Sequence, residues 1–165
     1  MADKVRIGVL TLSDKGSQGQ RTDTSGPLLA SLTSSLGEVA CQQLLPDEQS
    51  QIEELLLTWC DREQLDLILT TGGTGLSPRD RTPEATRAVI EREVPGIAEA
   101  MRMQNLARTP HAMLSRGIAG LRGKTLIINL PGSPKAVEEN LLVVLPALEH
   151  ALQTSSGSAA ECARP

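Results

Sequence analysis

Aromatic side chains are almost missing from this chain of 165 residues: Trp59 is its one Trp, and it has no Tyr and no Phe. A ring-shaped ligand must then be held by backbone and polar groups, because there is almost nothing to stack it on. Basic charge is short as well, with 16 Lys and Arg against 20 Asp and Glu and a formal net charge of -4. That balance argues against sequence-independent nucleic-acid binding, which needs a dense basic face. No apolar stretch approaches the ~20 residues of a membrane-spanning helix. The N-terminal MADKVRIGVL has charges ahead of its short apolar run and no cleavage signal behind it. Cys41, Cys60 and Cys162 are an odd, scattered set. They form neither a disulfide framework nor a paired metal motif. The expected setting is a reduced cytoplasm, with no membrane and no nucleic-acid partner.

The length suits one domain, since domains run to roughly 100–200 residues. Val5 to Leu12 is apolar and β-branched and predicts a buried strand. A polar loop follows, and its length of about 14 residues is itself a functional signal. A helix is expected over Pro27 to Leu36, with Ser25 as its cap, and a strand over Val39 to Leu45. From Ser50, Ile52, Leu55, Leu56, Trp59 and Cys60 form one apolar helical stripe. Leu65 to Thr70 predicts a strand, and TPEATRAVIERE a helix that Pro95 interrupts before a second helical piece. Met113 to Leu121 is ambiguous. Lys124 to Leu130 predicts a buried strand, and Pro134 to Leu152 a helix broken at Pro146. The alternation of strands and helices predicts an α/β fold with a mostly parallel central sheet. The domain is expected over residues 1–152. Residues 153–165 are rich in Ser and Ala and read as a flexible tail.

In such a sheet, ligands belong at the carboxyl ends of the strands. Thr70-Thr71-Gly72-Gly73-Thr74-Gly75 follows a strand there and closes with Arg79-Asp80 before a helix. Glycines let the backbone approach an anion and aim N–H groups at it, and the helix start adds a favourable dipole. Asp80 runs against that pattern unless a Mg²⁺ bridges it to the anion. Asp47, after the second strand, is either a helix-entry carboxylate or the partner of Asp80 in a metal site. Ser13 and Asp14 end the first strand, and Asp23 lies further along that loop. Pro131, Gly132 and Ser133 end the last strand at another helix start. Arg79, Arg81 and Arg116 are either phosphate partners or exposed arginines. Gly123-Lys124-Thr125 imitates the end of a P-loop, but Ile118 stands where glycine is required. His111 and His150 have no ligand-spaced partner.

VRIGVLTLSD, LPDE, LILTTGGTGLSPRDRTPEAT, MLSR and LRGKTLIINLPGSPK together resemble the molybdenum-cofactor family that includes MogA-type proteins and the gephyrin G domain. The likeness runs to about Leu152 and leaves the tail uncovered. It implies a three-layer α/β/α sandwich, a homotrimer, and adenylylation of molybdopterin by Mg-ATP with release of pyrophosphate to give a product for a molybdenum insertase. It implies Asp47 and Asp80 as catalytic, Mg²⁺-holding carboxylates. Molybdopterin would lie on Thr71, Gly72, Gly73, Thr74, Gly75, Ser77, Ser115, Pro131, Gly132 and Ser133, and ATP on Ser13, Asp14 and Asp23. The rival readings are a molybdopterin-binding protein without transferase activity, a CinA-like nucleotide pyrophosphatase, and a gephyrin-like scaffold. Arg79-Asp80 in place of paired aspartates weakens the second.

Overall fold

A computed structural model describes residues 4–158. Its strands are β1 (Arg6–Leu12), β2 (Glu38–Leu45), β3 (Leu67–Thr71), β4 (Arg92–Glu93), β5 (Ala119–Arg122) and β6 (Thr125–Leu130). Its helices are α1 (Asp14–Ser17), α2 (Ser25–Leu32), α3 (Gln49–Asp61), α4 (Thr82–Val89), α5 (Pro95–Leu106) and α6 (Pro134–Ser155), with a 3₁₀ turn at Pro110–Leu114. The strands form one sheet in the order β2-β1-β3-β6-β5-β4. The first four are parallel, and β5 and β4 are antiparallel additions at one edge.

Strand alternation builds the layers. Leu67 and Leu69 of β3, with Leu126, Ile128 and Leu130 of β6, face α2, α5 and α6. Ile68 and Ile127 face the other way, onto Ile52, Leu56 and Trp59 of α3 and Ala85 and Val89 of α4. Both faces are therefore covered, as a parallel sheet requires. Each fully buried Leu or Ile contributes about 1.5–3 kcal/mol. The expected α/β/α sandwich is what forms. Gly8 makes room for the lone indole: a Cβ there would stand 2.7 Å from both the Trp59 ring and Leu65. Gly8→Ala should cost about 1–3 kcal/mol through overpacking, read as a lower midpoint in urea unfolding.

The structure departs from expectation in several places. The TPEAT helix ends at Val89, and Arg92–Glu93 pair with β5 as a short edge strand. Pro95 starts α5 instead of breaking a longer helix, which fits its missing N–H. The ambiguous stretch supplies β5, joined to β6 by a tight turn at Gly123, whose φ is +53°. Ser25 is not the cap of α2, since Asp23 Oδ1 accepts from Gly26 N at 3.0 Å instead. Pro146 does not break α6, which runs unbroken to Ser155. Pro146 sits on the exposed face, so the Leu142 carbonyl it leaves unpaired meets water, while Leu141, Val144, Leu148 and Leu152 hold the other face in the core. The helix thus passes the expected domain edge at Leu152. The rest of the expected tail, residues 159–165 with Cys162, lies outside the described residues.

Candidate functional site: a divided cleft at the strand ends

Parallel pairing brings four strand ends to one edge: Leu12 lies beside Leu45, and Thr71 beside both Thr11 and Leu130. The loops after these strands are tied to each other. Thr71 Oγ1 donates to Pro131 O at 2.7 Å and Ser25 Oγ to Gly132 O at 2.6 Å. Thr82 Oγ1 donates to Gly72 O at 2.9 Å, and Thr82 N to Gly73 O at 3.1 Å. Gly72 and Gly73 adopt φ of +97° and +68°, which side-chain-bearing residues rarely do. A Cβ on Gly72 would also strike the Leu12 carbonyl, and one on Gly73 the Thr82 hydroxyl. The loop is thus pinned from beneath.

Arg116 pins it from the side. Its N–H donates to Thr74 O at 2.9 Å, and its guanidinium donates to Gly75 O at 2.7 Å and Asp80 O at 2.8 Å and pairs with Glu84. Arg79 donates twice to Asp14 at 2.9 Å and pairs with Glu48 at 2.7 Å. Arg81 donates to Gln49 Oε1. All three candidate phosphate arginines therefore hold protein partners. Arg21, which composition and spacing did not single out, lines the cleft near Asp23 and has no protein partner among the described residues.

Asp47 is held at a cost. Its Oδ2 accepts from Asp14 N at 3.0 Å, while its buried Oδ1 has no donor. Burial pushes its carboxyl above the usual range, and the charges of Asp14 and Asp80 push the same way. Asp14 is the opposite case: the Arg79 guanidinium holds its carboxyl below the usual range. A buried acceptor without a donor beside a second carboxylate suits a hard divalent cation. Among the described residues no group of three or more metal-ligating side chains exists, so a cation beside Asp47 and Asp80 would need water or ligand oxygens for its other positions. Neither of the two described cysteines is a nucleophile candidate, since burial pushes the Cys60 thiol up to about 11 and raises that of Cys41.

The penalty on Asp47 makes a stability prediction. An acid whose folded pKa is raised adds stability only at low pH, and that share is lost as pH rises through the raised value. At neutral pH the ionised Asp47 therefore destabilises the fold. Asp47→Asn should melt at a higher temperature than the native chain at pH 7, and the gap should close on acidification. Calorimetry across pH 3–8 checks it.

The cleft is two cavities. One, of about 500 Å³, is lined by Ser13, Asp23, Asp47, Thr71, Gly72, Gly73, Asp80 and Gly132. The other, of about 590 Å³, is lined by Thr74, Gly75, Ser115, Pro131 and residues of α5, including Arg102 and Asn105. Ser133, at the start of α6, lines both. The structure thus brings together most of the expected site but splits the expected molybdopterin surface between two cavities. Asp23 lines the first with both oxygens already accepting, from Thr11 Oγ1 at 2.8 Å and from Gly26 N. Asp14 and Ser77 line neither cavity. The α5 wall was missed, and its one signal is Asn105 in the apolar series Ala98, Met101, Asn105.

The fold and site define an α/β domain with a divided ligand cleft across the carboxyl edge of its parallel strands. The chain belongs to the family described as "Probable molybdopterin binding domain", which matches residues 8–150. It is 43% identical over 157 residues to a molybdopterin adenylyltransferase of Helicobacter pylori J99, covering 93% of this chain and 89% of that one. A solved structure of the molybdopterin biosynthesis enzyme MoaB of Thermus thermophilus matches with a TM-score of 0.88 and 57% identity, covering 93% of this chain and 97% of that one. The Drosophila melanogaster molybdenum cofactor synthesis protein cinnamon is 44% identical over 155 residues, 91% of this chain. The chain spans only 25% of cinnamon's length.

Proposed function

We propose that this chain is a molybdopterin adenylyltransferase of molybdenum-cofactor synthesis. The observation that carries the reading is the pair of cavities meeting at the glycine-rich loop and Ser133, with the acidic pair on one side only. That division suits two substrates that must meet end to end. ATP takes the Asp47 side, with Ser13 and Arg21 near its phosphates. Molybdopterin takes the α5 side, and its terminal phosphate reaches the glycine-rich loop. The terminal phosphate oxygen bonds to the α-phosphorus of ATP, the bond from that phosphorus to the β-phosphate oxygen breaks, and pyrophosphate leaves with the electron pair. The nucleophile is already largely ionised at neutral pH, so no general base is assigned. Asp47 and Asp80 would hold Mg²⁺, which supplies charge screening between the two anions.

The residues themselves position and shield. The N–H groups of Gly73, Thr74 and Gly75 donate to no protein acceptor among the described residues, so they remain for a phosphate. The starts of α4 and α6 add their dipoles. Little reorganisation is needed at the moment of reaction, because Thr82, Arg116 and Ser25 already fix the loops.

Mass spectrometry of protein mixed with molybdopterin and Mg-ATP tests the reading. Adenylylated pterin supports it, bound but unchanged pterin makes the chain a binding protein, and AMP without adenylylated pterin makes it a hydrolase. The product then goes to a cytoplasmic metal insertase. We further infer a homotrimer, which would cover the exposed Leu76, Met103, Met113 and Leu142. Light scattering at micromolar concentration should give three times the chain mass, and a monomer there would refute it.

A further inference from the structure

We propose that Asn105 is a specificity-determining residue of the second cavity, its Oδ1 accepting a hydrogen bond from the exocyclic 2-amino group of the pterin ring. The inference rests on the reading that molybdopterin is a substrate. Asn105 is 3% exposed and lines that cavity. Its Nδ2 donates to Met101 O at 2.8 Å and to Asn140 Oδ1 at 3.1 Å. Its Oδ1 is buried and has no donor.

The amide cannot simply turn over to cure this. Both groups facing Nδ2 are acceptors, and Asn140 is fixed in turn by donating its own Nδ2 to Ala136 O at 2.8 Å. A flipped Asn105 would set oxygen against oxygen. A buried acceptor left unpaired is costly, and a donor from a ligand removes that cost. The neighbouring polar groups do not supply one. Arg102 donates to the carbonyls of Ser115 and Gly117, and Glu139 brings only acceptors and pairs with Arg108.

The rest of the cavity suits a flat heterocycle. Ala98, Met101, Ala112 and Leu114 give it apolar walls, and a volume of about 590 Å³ falls among ordinary small-molecule sites. With no Phe, Tyr or Trp in its lining, orientation must come chiefly from hydrogen bonds at the ring edge. The 2-amino group of a pterin is a strong donor on that edge. The 6-amino group of adenine offers the same chemistry, so the test must separate the two.

Isothermal titration with 6-hydroxymethylpterin and with 6-hydroxymethyllumazine, which carries oxygen in place of the 2-amino group, makes the comparison. The native chain should prefer the pterin by about tenfold, the worth of one well-placed hydrogen bond. In Asn105→Leu that preference should collapse to near unity while ATP binding is unchanged. Asn105→Ser, whose hydroxyl stops short of the cavity, should behave alike and serves if the Leu chain does not fold. A native ratio near unity, or a ratio that survives both substitutions, overturns the role of Asn105 alone. Loss of ATP binding with loss of ATP-over-ITP preference would put adenine there instead and overturn it too. A native chain that binds neither pteridine nor molybdopterin would overturn the substrate reading as well.

Discussion

Asp80→Asn should slow adenylyl transfer by about a hundredfold or more, the consequence of losing ~3 kcal/mol of charge stabilisation, while molybdopterin still binds. The separation follows from how Asp80 is held. Its Oδ2 accepts from Ser77 N at 3.0 Å, a bond that an amide oxygen can keep, and its backbone carbonyl still accepts from Arg116. The loop should therefore survive, and the charge alone is lost. Asp47→Asn should match it in rate loss yet melt higher, because the ionised Asp47 is the group that burial penalises. The double variant should lose less than the two losses combined, since both carboxylates would serve one cation. Single-turnover assays with a pterin-binding titration separate the outcomes. A near-native rate for Asp80→Asn would sink the assignment, and loss of pterin binding without a special effect on turnover would make Asp80 a structural part of the loop.

The core of the fold was legible because its strands are nearly uniform. KTLIINL can be buried on both faces only in a covered sheet, and β6 is fully buried. The glycine-rich loop was legible for a similar reason: so dense a run of Gly and Thr fits few backbones, and Gly72 and Gly73 do take conformations that side chains resist. What the sequence hid depends on contacts far along the chain. Arg116 reads as a loose cation until the fold sets it 41 positions away from Gly75 in sequence and within 2.7 Å in space. Asp23 reads as a ligand group from sequence, and only the fold shows that each of its oxygens also accepts a bond within the protein, from Thr11 and from Gly26. The edge strand at Arg92–Glu93 has no apolar pattern, because its pairing with β5 and not its burial makes it a strand. Pro146 misled because the propensity against proline assumes that the lost bond is missed, and on the solvent face water replaces it.

Arg116→Lys is the other substitution expected to have a large effect, and it acts through position. One guanidinium spans two loop carbonyls and the Glu84 carboxylate. An ammonium is a point charge on a flexible stem and cannot serve all three. Glu84 already has one buried oxygen, Oε2, without a donor, so the Lys chain would leave more of that carboxylate and at least one carbonyl short. A loss of about 2–3 kcal/mol is expected for such unpaired, partly buried groups, which for a domain of this size means roughly 5–10 °C in melting temperature. Turnover should fall ten- to a hundredfold, because the loop that carries Asp80 is no longer held in place. A merely structural Arg116 would lower stability and leave the rate of the folded fraction untouched. The discriminating measurement is therefore a double-mutant cycle with Asp80→Asn. If Arg116 works by placing Asp80, its replacement should cost little further turnover once Asp80 has lost its charge, while its cost in melting temperature stays the same. Full additivity in turnover would show that Arg116 acts on the reaction by some route other than Asp80.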